Sequence, residues 1–166
     1  MIHFVGAGSG APDLITVRGP KFLREAAVVL YAGSLVNPGL LEETKPGCEI
    51  LNSAYMTLDE VIRAMEKAER EGKMTVRLHT GDPAIYGAIR EQMDVLDAKE
   101  IAYDSCPGVS SFCGAASALN LEYTLPDVSQ SVIITRMAGR TPVPEKESIE
   151  SFAAHQATMV VFLSTG

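Results

Sequence analysis

Strands alternating with helices predict an α/β protein, and three glycine-bearing loops, beginning at Gly6, Gly81 and Gly108, each follow a predicted strand. In such folds the loops after parallel strands gather at the carboxyl edge of the sheet, where ligands bind. The chain has 166 residues, 46% of them hydrophobic and 21% charged, which is ordinary for a folded protein with a real core.

Residues 2–5 read as a short apolar strand running into Gly6-Ala-Gly-Ser-Gly-Ala. This loop formally matches the Gly-x-Gly-x-x-Ala dinucleotide fingerprint. Pro12 and Asp13 interrupt the match where the phosphate-binding helix should be running. The next strand, Val28–Tyr31, ends in Ala32-Gly33-Ser34, without the acidic residue that a ribose would need. Thr16 is expected to cap a helix over 16–27, with Gly19 and Pro20 in its first turn. Residues 33–39 have turn chemistry, and Ser34 and Asn37 there are either polar ligand contacts or turn formers. A strand follows at Glu49–Asn52. Thr57 to Glu60 form a capping box ahead of Leu58, Val61, Ile62, Met65 and Ala68, and Gly72 closes that helix.

The segment 75–87 is the centre of the pattern. Val76 and Leu78 alternate as in a strand, and Gly81 permits a tight turn or a close ligand approach. Asp82 and Pro83 are suited to the start of a helix, expected over 84–96 with Ile85, Ile89, Met93 and Leu96 on one face. A plain strand-to-helix turn would have the same local chemistry. Further strands are expected at 101–105, 131–136 and 158–163, and helices at 112–119 and 145–154. The loop 106–111 ends in Ser110 and Ser111, which are either cap residues or site residues. Residues 120–130 read as a connector, dividing an N-terminal domain, 1–119, from the start of a second, 120–166.

A net charge of −7 argues against nucleic acid as a principal partner. No apolar run is long enough to span a bilayer, and no signal peptide is evident, so a soluble cytoplasmic protein is expected. Cys48, Cys106 and Cys113 lack paired metal-ligand spacing and are expected to be buried thiols. The three histidines are scattered, so no metal site is expected.

The segments 5–16 (VGAGSGAPDLIT), 80–87 (TGDPAIYG), 106–111 (CPGVSS) and 158–163 (TMVVFL) together resemble the tetrapyrrole (corrin/porphyrin) methyltransferases, which use S-adenosylmethionine. Within that family, 31–36 (YAGSLV) and 135–145 (TRMAGRTPVPE) look most like the members that methylate C11 of precorrin-4 or cobalt-precorrin-4 in cobalamin synthesis. The resemblance implies two α/β domains with the cofactor in a cleft between them, and a homodimer. It implies cofactor contacts from Ser9, Gly81, Asp82, Ile85, Tyr86, Ser110, Ser111 and Leu163. Uroporphyrinogen methyltransferases of the family carry a basic aspartate after the second strand. Here Ala32 stands there, so no catalytic base transfers, and a different substrate position is implied.

The carboxylates of such a substrate need cations. Arg18, Lys21, Arg136 and Arg140 are the candidates, each alternatively a solvated surface charge, with Ser34 as a polar neighbour. No Ser-His-Asp set or covalent nucleophile is visible, and none is needed for methyl transfer to an electron-rich ring carbon. The competing readings are a methyltransferase of the same family with another acceptor (another precorrin position, uroporphyrinogen or a diphthine-type acceptor), a nicotinamide-dependent oxidoreductase, and a non-catalytic remnant. The chain stops after a strand where the family pattern continues. The second domain is therefore expected to be incomplete, with weak activity and a tendency to aggregate.

Overall fold

A computed structural model describes residues 1–139 and 141–164. It divides into two compact units, Met1–Gly114 and Ala115–Gly166.

The first unit is a five-stranded, wholly parallel sheet. Its strands are β1 (Ile2–Gly6), β2 (Val28–Tyr31), β3 (Glu49–Asn52), β4 (Thr75–His79) and β5 (Tyr103–Cys106), in the order β3-β2-β4-β1-β5. Helices α1 (Arg18–Glu25), α2 (Leu58–Arg70) and α3 (Arg90–Ala98) connect them, and α4 (Ser111–Leu119) follows β5.

The period-2 alternation of the strands supplies two separate cores. Val5, Val29, Val76 and Leu78 pack with Leu23 and Ala26 of the α1 region and with Leu40. Ile2, Phe4, Val28 and Leu30 pack on the other face with Val61, Ile62, Met65 and Ala68 of α2 and Leu96 of α3. Covering both faces is what a parallel sheet requires, and it leaves all five residues of β4 buried, Arg77 and His79 included.

Helix α2 has the predicted capping box: Glu60 N–H donates to Thr57 Oγ1 (3.3 Å) and Thr57 N–H to Glu60 Oε2 (2.7 Å). Thr57→Ala is expected to cost about 1 kcal/mol of stability, read from the midpoint of urea unfolding.

Several expectations change. Thr16 does not cap α1; the position before that helix is Val17, with no side-chain cap. The Thr16 hydroxyl instead donates to Pro107 O at 3.1 Å, tying the start of α1 to the loop after β5. The expected helix over 84–96 begins only at Arg90, because Tyr86 (φ 54°) and Ala88 (φ 50°) take left-handed backbone that a helix cannot contain. The segment 145–154 splits into a 3₁₀ turn, Glu145–Glu147, and a short helix α5 (Ile149–Ala153). Ser148 lies in extended backbone between them, its hydroxyl accepting from Ser151 N–H at 3.1 Å. Only Cys106 of the three thiols is buried; Cys48 is half-buried and Cys113 exposed.

In the second unit, β6 (Val132–Arg136) and β7 (Thr158–Phe162) form a parallel pair, with Thr135 opposite Val161. Thr158 ties this pair to the connector by donating from its hydroxyl to Tyr123 O at 2.8 Å.

Candidate functional site

The strand order creates a switch point between neighbouring strands β1 and β4. The chain leaves β1 towards α1 on one face of the sheet and leaves β4 towards α3 on the other. Between two such exits the carboxyl edge opens into a crevice.

Backbone lines this junction. Gly8 and Gly81 pair across it, Gly81 N–H donating to Gly8 O at 2.9 Å and Gly8 N–H to Gly81 O at 3.3 Å. Gly81 takes φ +60°. A methyl group on Gly6 would lie 2.5 Å from Gly108 Cα and 2.6 Å from Gly81 O. Only glycine allows the loops after β1, β4 and β5 to meet this closely.

Asp82 fixes two of the loops together. Its Oδ2 accepts from Gly108 N–H at 3.0 Å and its Oδ1 from Ala84 N–H at 2.8 Å. The expected cap is therefore real, but it closes a turn over 82–85 rather than a helix. Ile85 and Tyr86 lie on that turn, with Tyr86 44% exposed.

Ser110 is buried and its carbonyl accepts from Cys113 and Gly114 N–H in the first turn of α4, while Ser111 beside it is exposed. Ser9 packs where the missing side chain of Gly114 leaves room: a methyl group there would lie 2.5 Å from its Oγ. That Oγ is buried and has no hydrogen-bond partner among the described residues. A buried hydroxyl is ordinarily bonded, so this loop suits a polar ligand. Asn37, read as either ligand contact or turn former, is the second. Its amide donates to Gly10 O at 2.9 Å and its Oδ1 accepts from Gly39 N–H at 2.9 Å, bracing the first loop.

Ser9, Gly81, Asp82, Ile85, Tyr86, Ser110 and Ser111 thus all follow β1, β4 or β5 at the carboxyl edge of the first unit. Leu163 lies in the second unit, exposed, with φ 53°, directly after β7. Arg18 and Lys21 are exposed on α1. The Arg136 guanidinium donates to the carbonyls of Met137, Thr141 and Pro142 at 2.9–3.2 Å, so it pins its own loop. Arg140 lies outside the described residues, as does the side chain of Ser34.

Sequence reasoning missed the buried polar row beneath the junction. Arg77 and His79 point to the same face of β4, and burial lowers the Arg77 guanidinium to about 10. Burial, reinforced by the Arg77 cation, pushes the His79 imidazole from an ordinary 6.5 down to about 3. Strand alternation around Val76 and Leu78 gave no sign that the intervening polar residues are covered as well.

The consequence has a definite sign. Below pH 6.5 the unfolded chain takes up a proton at this histidine and the folded one does not, so stability falls with pH, about 1.4 kcal/mol per unit, until about pH 3. Urea unfolding should show about 2 kcal/mol lost from this residue between pH 6.5 and 5. His79→Phe should flatten that slope.

The sequence profile of the family described as Tetrapyrrole (Corrin/Porphyrin) Methylases matches residues 1–166. A cobalt-precorrin-4 C(11)-methyltransferase of Methanocaldococcus jannaschii is 57% identical over 98% of this chain and 62% of its own length. The X-ray structure of a cobalamin biosynthetic enzyme, cobalt precorrin-4 methyltransferase, superposes with a TM-score of 0.95 at 52% identity, covering 98% of this chain and 68% of that one. A uroporphyrin-III C-methyl transferase from Thermus thermophilus, solved in complex with S-adenosylhomocysteine, gives a TM-score of 0.70 at 27% identity, over 87% of this chain and 59% of that one. The chain spans about three-fifths of the length of the curated relatives it matches.

Proposed function

This chain belongs to the tetrapyrrole (corrin/porphyrin) methylase family, and from that premise we propose that it acts as an S-adenosylmethionine-dependent C-methyltransferase on a corrin-ring precursor, precorrin-4 or its cobalt form, at C11. The observation that carries the reading is the meeting of three glycine loops at the switch point, with the buried Ser9 hydroxyl, which has no hydrogen-bond partner among the described residues, beside them. The same loop sequences carry the resemblance to the family, and residues 31–36 and 135–145 carry the likeness to its precorrin-4 members.

The residues present fit the cofactor. Its polar parts would be held by the Ser9 hydroxyl and by backbone and hydroxyl groups at Gly81, Asp82, Ser110 and Ser111. Ile85 and Tyr86 would give apolar contact. When bound, the cofactor supplies an electrophilic sulfonium methyl group. What the chain contributes is position: a rigid backbone cradle that fixes one reactant against the other and excludes water, which accounts for much of the rate of such reactions. Asp82 is already held by two amide donors, so it serves to shape the cradle rather than to move a proton. Arg18 and Lys21, exposed on α1, and Arg140 with Ser34 are assigned to substrate carboxylates; Arg136 contributes by holding its own loop. A cytoplasmic homodimer belongs to the same reading, with family likeness as its support.

The test is mass spectrometry of a corrin intermediate incubated with the protein and S-adenosylmethionine. One added methyl at C11 is expected. Methylation at another carbon would keep the family chemistry and change the acceptor, whereas turnover with a nicotinamide cofactor alone would overturn the proposal.

A further inference from the structure

Between Asp82 and Arg90 the chain follows a path that its residues do not favour. Tyr86 and Ala88 both take left-handed backbone, although neither is glycine, asparagine or aspartate. Gly87 between them faces Pro83 so closely that a methyl group would lie 2.2 Å from Pro83 O. A path of this kind persists only where the surroundings hold it. One end is held by Asp82, whose carboxylate takes the Gly108 and Ala84 amides.

At the other end, Gln92 Nε2 donates to Ala88 O at 3.0 Å, while Gln92 Oε1 accepts from Arg77 Nε at 3.1 Å. Arg77 Nη1 in turn donates to Leu30 O at 3.2 Å, in the neighbouring strand. Both side chains are more than nine-tenths buried. A guanidinium has donors only, so Arg77 settles which end of the Gln92 amide faces which partner: the oxygen must meet Arg77, and the NH₂ is left for Ala88.

We infer that Gln92, oriented by Arg77, is a positioning residue that clamps the Ala88 carbonyl and so holds the turn carrying Ile85 and Tyr86 in its ligand-ready shape. The part of this that concerns the ligand rests on the cofactor site proposed above. The clamp itself rests only on the Leu30–Arg77–Gln92–Ala88 chain. It has a use at that place: the β4 loop meets the ligand through a short, strained turn, and a buried strut from the central sheet keeps that turn from relaxing in the free protein.

Gln92→Glu separates positioning from packing. The carboxylate keeps the shape and the bond from Arg77, and it gives that buried cation a counter-charge. It has no hydrogen to give Ala88 O. Hydrogen-exchange mass spectrometry of the ligand-free protein should show amides in 83–89 exchanging about tenfold faster, as expected for the loss of one buried hydrogen bond. Thermal midpoint should hold or rise. S-adenosylhomocysteine affinity by calorimetry should fall about tenfold.

Gln92→Met, which cannot bond to either neighbour, should loosen the same amides, so the prediction does not depend on one variant. Unchanged exchange over 83–89 in both variants would overturn the clamp. If the unaltered chain fails to bind S-adenosylhomocysteine, the cofactor reading falls, and the exchange measurement still decides the clamp. Faster exchange with unchanged S-adenosylhomocysteine affinity would overturn the positioning role.

Discussion

Gly108→Ala is expected to destabilise the first unit by about 3 kcal/mol and to remove measurable S-adenosylhomocysteine binding. The added methyl group would sit 2.0 Å from Gly81 O and 2.8 Å from Gly6 Cα. Both neighbours are backbone of other loops in the junction, so no side chain can turn aside to make room. The β5 loop has to retreat, and its Gly108 amide then leaves Asp82. Since the β1 and β4 loops are paired through Gly8 and Gly81, the disturbance reaches all three loops at once. Gly139→Ala is the matching control, because none of the described residues beyond its chain neighbours lies within 4 Å of the added methyl group there. It should stay within about 0.5 kcal/mol of the unaltered chain. Urea unfolding of the two variants, with ligand titration of each, checks the pair.

Asp82→Ala should cost about 2 kcal/mol in stability and at least tenfold in S-adenosylhomocysteine affinity. The carboxylate holds one amide on each side of the junction, Ala84 on its own loop and Gly108 on the next. Truncation leaves both without their acceptor and frees the start of the turn that carries Ile85 and Tyr86. Asp82→Asn keeps one acceptor oxygen and turns the other position into a donor, which meets an N–H with an N–H. Its losses should fall between those of the aspartate and the alanine. Unchanged affinity in Asp82→Ala would take this residue out of the site.

Much of the framework was readable from local pattern. Strands β1 and β2 show as short apolar runs and β4 in the alternation of Val76 and Leu78, and helix α2 shows in its spacing and its capping box. The loops of the site showed because their glycines answer a need for close approach that other residues cannot meet.

What could not be read depends on partners far away in the chain. Thr16 has the chemistry of a helix cap, but Pro107 lies within reach of its hydroxyl and takes it. Nothing local marks Arg77 as buried, because its cover comes from Gln92 and the helices on that face. The segment 84–89 carries helix-like spacing, and the left-handed turns at Tyr86 and Ala88 are imposed by the clamps at its two ends rather than by its own residues. The site was thus legible in its glycines and hidden in the side chains that brace them.

Cofactor binding at the glycine-loop junction is tested by calorimetric titration of the chain with S-adenosylhomocysteine and, separately, with a nicotinamide nucleotide. Saturable one-site binding of S-adenosylhomocysteine, weakened in Asp82→Ala and lost in Gly108→Ala, is the predicted result. Binding of the nicotinamide nucleotide with no heat from S-adenosylhomocysteine would contradict it.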